Sequence, residues 1–168
     1  QWYTVRGGSI EYVKLLEKDM LKRGVKIHTG SVVQGVRRTP AGVEIRTFSD
    51  EWKKFDSVVM ASHSDQSLKM LENPSDEEVK LLSAIKYQKN QAYLHSDTIV
   101  MPKRKRCWSS WVYASDELDN SNPVGVSYWM NRLQPISGDE NFFQSLNPNR
   151  EIKQELIYDQ KTFMHPVF

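Results

Sequence analysis

Apolar residues recur at helical spacing near the start of the chain. Ile10, Val13, Leu16 and Met20 fall on one stripe, with Tyr12 and Leu15 beside it. This predicts a helix from about Ser9 to Arg23. Ser9 is the expected N-cap, Lys22 and Arg23 occupy the last turn, and Gly24 stands where a helix end favours a left-handed backbone. The period then shifts to two. Short strands are expected at Val25–His28, Val32–Arg38, Val43–Thr47 and Lys54–Ala61, with Thr39-Pro40-Ala41-Gly42 as a hairpin turn. Val43-Glu44-Ile45-Arg46 alternates, which marks a half-exposed strand. Val58-Val59-Met60-Ala61 is apolar throughout, the pattern of a strand buried on both faces.

A short helix ending near Leu71 should follow Ser62-His63-Ser64-Asp65. Ser75-Asp76-Glu77-Glu78 reads as a capping box that opens a helix to about Ile85. From Tyr87 onward glycine becomes rare, and tryptophan and tyrosine concentrate. Strands are expected at Asn90–His95, Trp108–Tyr113, Val124–Asn131, Phe142–Leu146 and Glu155–Met164. The pattern predicts an α+β fold: an α/β-type piece over residues 1–86, then a mainly antiparallel sheet over residues 87–168.

Composition narrows the class. A chain of 168 residues suits one domain or slightly more. At that length it should bury about 70% of its unfolded surface and needs no covalent staple. Cys107 is the single cysteine, so an intrachain disulfide and a four-cysteine zinc site are both excluded. The 23 Lys and Arg against 21 Asp and Glu are too balanced to argue for nucleic acid or an anionic membrane. No apolar run approaches the ~20 residues of a membrane span, and no signal peptide is visible; a cytoplasmic location is expected. The start at Gln1 and the apolar close His165-Pro166-Val167-Phe168 lead to the expectation of an internal segment of a longer polypeptide.

Candidate chemistry is sparse. His28, His63, His95 and His165 never pair at ligand spacing, so no metal is expected. Arg106 beside Cys107 could lower the thiol pKa, with His95 as a partner. No strained nucleophile turn is present, however, and the simpler expectation is a buried cysteine in a strand. Lys103-Arg104-Lys105-Arg106 is a basic run suited to phosphate or lipid head groups, or simply to solvent. Gly7-Gly8 before a helix suits an anion, or the close approach of a flat group. The aromatic strands carry the most information. Period two puts Trp111 and Tyr113 on one face of their strand, and Trp129 and Asn131 on one face of theirs. These four either line an apolar substrate cavity, with Gln134 nearby, or form core against helices.

Several runs together carry a resemblance. Thr4-Val5-Arg6-Gly7-Gly8-Ser9, the helix ending LKRGVKIHTG, then SVVQGV, a hairpin and FDSVVMAS resemble flavin-containing amine oxidoreductases. LHSDTIVMP, CWSSWVY, VSYWMNRLQ, SLNP and HPVF are similar to a narrower group, bacterial NAD/FAD-binding proteins akin to the N-terminal region of plant cyclopropane fatty acid synthases. The resemblance implies that residues 1–86 are the inner part of a split FAD-binding domain, and residues 87–168 a truncated substrate-type domain. It implies FAD in the full-length parent, with the Val33 backbone at the adenine edge and Ala61 and Ser62 near the cofactor. Gly7, Gly8 and Ser9 would lie at the flavin–substrate boundary, and Trp111, Tyr113, Trp129 and Asn131 would line the substrate cavity. It identifies no catalytic residue. The substrate would be a small or lipid-linked molecule. The alternative is a non-catalytic interaction module that uses the aromatic sheet face. The G-x-G-x-x-G turn that holds the FAD diphosphate is not in this sequence. The isolated chain is therefore expected to bind no FAD, to be inactive and to be prone to self-association around Val58–Ala61.

Overall fold

The computed structural model describes residues 3–48, 51–114, 125–134 and 136–167. The elements are α1 (Ser9–Lys22), β1 (Val33–Thr39), β2 (Gly42–Thr47), β3 (Trp52–Phe55), α2 (Ser64–Met70), α3 (Asp76–Ala84), β4 (Lys86–His95), β5 (Trp111–Ala114), β6 (Gly125–Trp129), α4 (Met130–Leu133), β7 (Phe143–Leu146) and β8 (Ile157–Val167). Helices together with two antiparallel sheets give the α+β class that the sequence predicts. The chain divides into two compact units. One comprises residues 1–23 and 89–165, the other residues 24–88 and 166–168. The boundary expected after residue 86 falls inside β4.

In the smaller unit β1, β2 and β3 form a meander. Pro40 and Ala41 close the first hairpin between the paired Thr39 and Gly42. Gly42 has φ +126°, and a Cβ there would lie 2.5 Å from the Phe55 carbonyl oxygen, so only glycine fits. One face of the meander carries Val36, which is buried. The opposite face is a stack of charge on an aromatic ring. Trp52 covers Gly35, and the guanidinium groups of Arg37 and Arg46 lie 4.2 and 5.1 Å from its ring centre. Arg37 Nε donates to Glu44 at 2.6 Å, and Arg46 donates to Glu72 at 3.3 Å.

The helices of this unit start on polar side chains. Ser75 and Glu78 form the expected capping box at α3. Glu78 accepts from the Ser75 amide and from Arg38 at the end of β1, and these bonds hold its carboxyl below its ordinary range. Tyr87 does for α2 what no local side chain does. Its hydroxyl accepts from the Ser64 amide at 2.8 Å, and its ring stacks on His63 at 4.6 Å.

The larger unit is built on a sheet of order β5-β6-β7-β4-β8. Its inner face packs Phe143, wholly buried, with Val100, Met101 and Ile152, flanked by Tyr93, Trp108, Val112, Trp129 and Ile157. Asn147, just past β7, has φ +44°. Asparagine tolerates this conformation, and reciprocal bonds hold it: the Asn147 side chain accepts from the Gln91 amide, while its own amide donates to the Gln91 carbonyl, both at 2.9 Å.

Several local expectations are overturned. Gly8, with φ +87°, takes the N-cap position of α1; Ser9 is the first helical residue and makes no capping bond. Val25–His28 is not a strand, and neither is Val58–Ala61, where Val59 is 91% exposed. Extended backbone becomes a strand only against a hydrogen-bonded neighbour, and among the described residues neither stretch has one. Trp108 precedes β5 rather than joining it, and Asn131 lies in α4. Cys107 is exposed, in a 3-10 turn over Lys105–Cys107.

Candidate functional site

The turn before α1 is set by glycine. The Gly8 amide donates to the Val5 carbonyl at 3.0 Å, which closes a four-residue turn with Gly7 in third place at φ +87°. A positive φ in third place marks a turn that favours glycine there. Gly8 repeats the value, and the space where a Cβ would stand is open to 4 Å. Without a side-chain cap, the first amides of α1 are served by backbone alone. The segment thus presents open backbone at Gly8, while at Gly7 the place of a Cβ lies 2.9 Å from the side chain of Glu11 in the first turn of the 14-residue helix.

Val33 starts β1, an edge strand of its sheet. The register slips between Val33 and Gly35, so a bulge sits beside it. On the other side β1 is covered at Val36, which bridges Leu71 and accepts from the Glu72 amide. The backbone of Val33 therefore lies on the uncovered part of that edge. Ala61 is exposed. Ser62 bonds through its hydroxyl to Ser67 of α2 at 2.8 Å, which fixes the approach to that helix. Gly7, Gly8 and Ser9 belong to the larger unit; Val33, Ala61 and Ser62 belong to the smaller.

The aromatic residues separate. Trp111 pairs with Tyr128, and Trp129 pairs with Phe143. Cross-strand partners share a face and sequence neighbours do not. Trp111 and Tyr113 therefore stand on the outer face, 46% and 67% exposed, while Trp129 joins the core. What the structure brings together is Trp108, Trp129 and Phe143, with edge-to-face contacts at 5.2 and 5.7 Å. The indole N–H of Trp129 goes to Asn141, and the amide of Asn131 is spent on the Glu140 carbonyl and the Phe142 N–H. These four residues do not line one cavity. A polar cavity of about 300 Å³ opens elsewhere in this unit, lined by Gln91, Tyr93, Gln160, Lys161 and Thr162.

The sequence gives little sign of a buried polar chain beneath the sheet. His95 Nε2 meets the Ser145 hydroxyl at 2.9 Å, and Ser145 meets Ser127 at 2.7 Å; His95 and Ser145 are wholly buried. Burial pushes the imidazole pKa down, against the opposing pull of Asp97. The arrangement resembles a nucleophile and base, but no substrate reaches it. It is a structural network, and it takes His95 away from Cys107. Among the described residues no three His, Cys, Asp or Glu side chains are grouped to hold a metal, and no helix is long and apolar enough to cross a membrane.

The family model for flavin-containing amine oxidoreductases matches residues 1–132. A search of curated proteins finds no match. The matched stretch takes in the Gly7-Gly8 turn, the edge at Val33 and the sheet through β6, and by this match the chain belongs to the flavin-containing amine oxidoreductase family.

Proposed function

We propose that this chain serves an FAD-dependent oxidoreductase of the amine-oxidase type, with residues 1–86 as the inner part of the FAD domain and residues 87–168 as the substrate-side sheet. The observation that carries the proposal is the pair of left-handed glycines, Gly7 and Gly8, ahead of α1 within the family-matched stretch, with open space at Gly8. Bound FAD would supply hydride-transfer chemistry. The protein's part is contact and position. Gly7, Gly8 and Ser9 would offer backbone at the flavin–substrate boundary. Val33 would offer edge amide and carbonyl groups to the adenine, and Ala61 and Ser62 would flank the cofactor ahead of α2. By the resemblance these residues would meet the edges of the cofactor, and a cradle for its diphosphate is not among them.

The substrate class proposed is a small amine or a lipid-linked molecule, in a bacterial, cytoplasmic protein. A single exposed, unpaired cysteine suits a reducing compartment. A second reading, a binding module, is favoured by the exposed Trp111 and Tyr113 on the outer sheet face.

Flavin titration tests the proposal. Backbone hydrogen bonds at Val33 contribute about 0.5–1.5 kcal/mol each, against an association cost of at least ~4 kcal/mol. This chain alone should therefore leave FAD fluorescence unquenched at micromolar protein. The polypeptide from the complete reading frame should purify yellow, with the two visible bands of oxidised flavin. A colourless complete protein that takes up no FAD overturns the function. Tight, stoichiometric FAD on this chain alone overturns the account of its contacts.

A further inference from the structure

Strand β8 closes one side of the larger unit's sheet. Its neighbour there is β4, and among the described residues nothing pairs with its far side. It runs for 11 residues, of which only Ile157 and His165 are half-buried; the rest are exposed. The strand is nonetheless held in place along β4. The Ser96 amide donates to the Leu156 carbonyl at 3.0 Å just before it. Farther along, the Thr162 hydroxyl donates to the Gln91 side-chain carbonyl at 3.0 Å, and the Asn90 and His165 side chains bond at 2.7 Å. Tyr158 is fixed as well, its hydroxyl donating to Glu140 and its ring 5.6 Å from that of Phe142. An edge strand presents alternate N–H and C=O groups without partners, which makes a long, fixed edge a template for another strand.

The side chains of β8 say which strand fits. Read outward from Gln160, the sequence is symmetric in kind: Asp159 and Lys161, then Tyr158 and Thr162, then Ile157 and Phe163. Lay a second β8 antiparallel to the first, with Gln160 on the two-fold axis. Asp159 then stands opposite Lys161 of the second copy, and Lys161 opposite its Asp159. Ile157 meets Phe163, and Tyr158 meets Thr162, which covers two exposed aromatic rings. Asp159 and Lys161 already share a face, with their charged atoms 3.5 Å apart and both side chains more than half exposed. In the pair the four charges form a square of alternating sign. Centring the pair on Asp159 or on Lys161 instead sets like charge against like, and so does a parallel pair in register. The Gln160 amide is already met by the Asp159 carboxylate at 2.9 Å, so the axis suits a non-hydrogen-bonded pair, where side chains lie closest. Such an isologous contact closes at two copies and leaves neither edge open.

We propose that β8 is a dimerisation edge: two copies of this chain pair antiparallel through residues 157–163, and their two five-stranded sheets run into one. The proposal does not depend on the flavin reading, and its test needs no activity. Sedimentation velocity of the chain from micromolar to sub-millimolar concentration measures the association. Four proteins are compared: wild type, Asp159→Lys, Lys161→Asp, and the double swap that carries both changes. Circular dichroism and Tm confirm that each is folded. The register is read separately by disulfide trapping in a Cys107→Ser background, which removes the native thiol. There Gln160→Cys puts the new thiol on the axis, and Thr162→Cys puts it off the axis.

The expected result for wild type is a monomer–dimer equilibrium with no larger species. Either single reversal turns both symmetric attractions into repulsions and should weaken the dimer about ten-fold or more. The double swap restores unlike charge at every corner of the square and should recover most of the wild-type affinity, which a merely structural effect of either residue would not do. Under mild oxidation Gln160→Cys should trap a covalent dimer, because directly opposed residues lie within disulfide reach. The two Thr162→Cys thiols sit four residues out of step, roughly 13 Å apart along the strands, and should stay reduced. A chain that remains monomeric at sub-millimolar concentration would overturn the proposal. So would single reversals that leave association unchanged, which would assign it to another surface. A double swap no tighter than the single reversals, or equal trapping at positions 160 and 162, would overturn the antiparallel pair centred on Gln160.

Discussion

Replacing Phe143 by alanine tests where the larger unit keeps its stability. The ring is wholly buried on the central strand β7, whose neighbours β6 and β4 pair it with Trp129 and His95. It lies 5.7 Å from the Trp108 ring, edge to face, and 5.6 Å from that of His95. Truncating a buried phenylalanine costs about 3–5 kcal/mol in lost transfer energy and residual cavity. The geometry points to the upper part of that range. Val100, Met101 and Ile152 are the other buried members of the cluster, so the hole opens at its centre. The tryptophans beside it are held by hydrogen bonds to Pro102 and Asn141 and cannot relax freely inward. About 4 kcal/mol corresponds to a drop in Tm of roughly 8–16 °C for a chain of this length. Urea and thermal unfolding, followed by near-ultraviolet circular dichroism of the Trp108–Trp129 pair, measure it. Tyr113→Ala on the exposed outer face serves as the control and should stay within about 0.5 kcal/mol of wild type. A loss below about 1 kcal/mol for Phe143→Ala, or equal losses for the two variants, would refute this description of the core.

Two further perturbations probe other parts of the molecule. In Gly35→Ala the new Cβ would lie 2.9 Å from the Trp52 ring and 2.9 Å from a Glu72 oxygen, so scanning calorimetry should show a loss of about 1–3 kcal/mol in the smaller unit; an unchanged Tm would mean that Trp52 does not rest on the backbone there. His95 is held neutral by burial, with its pKa below the ordinary 6.5. Only the unfolded chain gains a proton as pH falls through that value, so stability should be flat above it and decline below it; Tm measured between about pH 8 and about pH 5 should show this slope, and it should flatten in His95→Gln.

Much of the fold was legible because its signals are local. The stripe Ile10, Val13, Leu16 and Met20 placed α1 to within a residue, and the Ser75–Glu78 box placed α3. What the sequence could not supply was the partner across the sheet. Alternation along β5 put Trp111 and Tyr113 on a common face, as observed, but only the register with β6 decides that Trp129 faces the other way. Val58–Ala61 has the composition of an inner strand and, among the described residues, lacks a neighbour to pair with, so composition alone misplaced it. Side-chain contacts distant in sequence left no trace at all. Tyr87 capping α2 and Ser145 bonding His95 span 23 and 50 residues, and no periodicity encodes them.

Glu78 serves two elements at once. Its carboxylate closes the first turn of α3 and also takes the Arg38 guanidinium from a strand 40 residues earlier. Helix ends ordinarily fray on their own, because their contacts are within a few residues. This one is wired to the hairpin: releasing the turn frees the arginine, and losing the arginine unsettles the turn. The Arg38–Glu78 pair thus joins the start of α3 to the end of β1, so a capping motif that is ordinarily local reaches a strand of the meander.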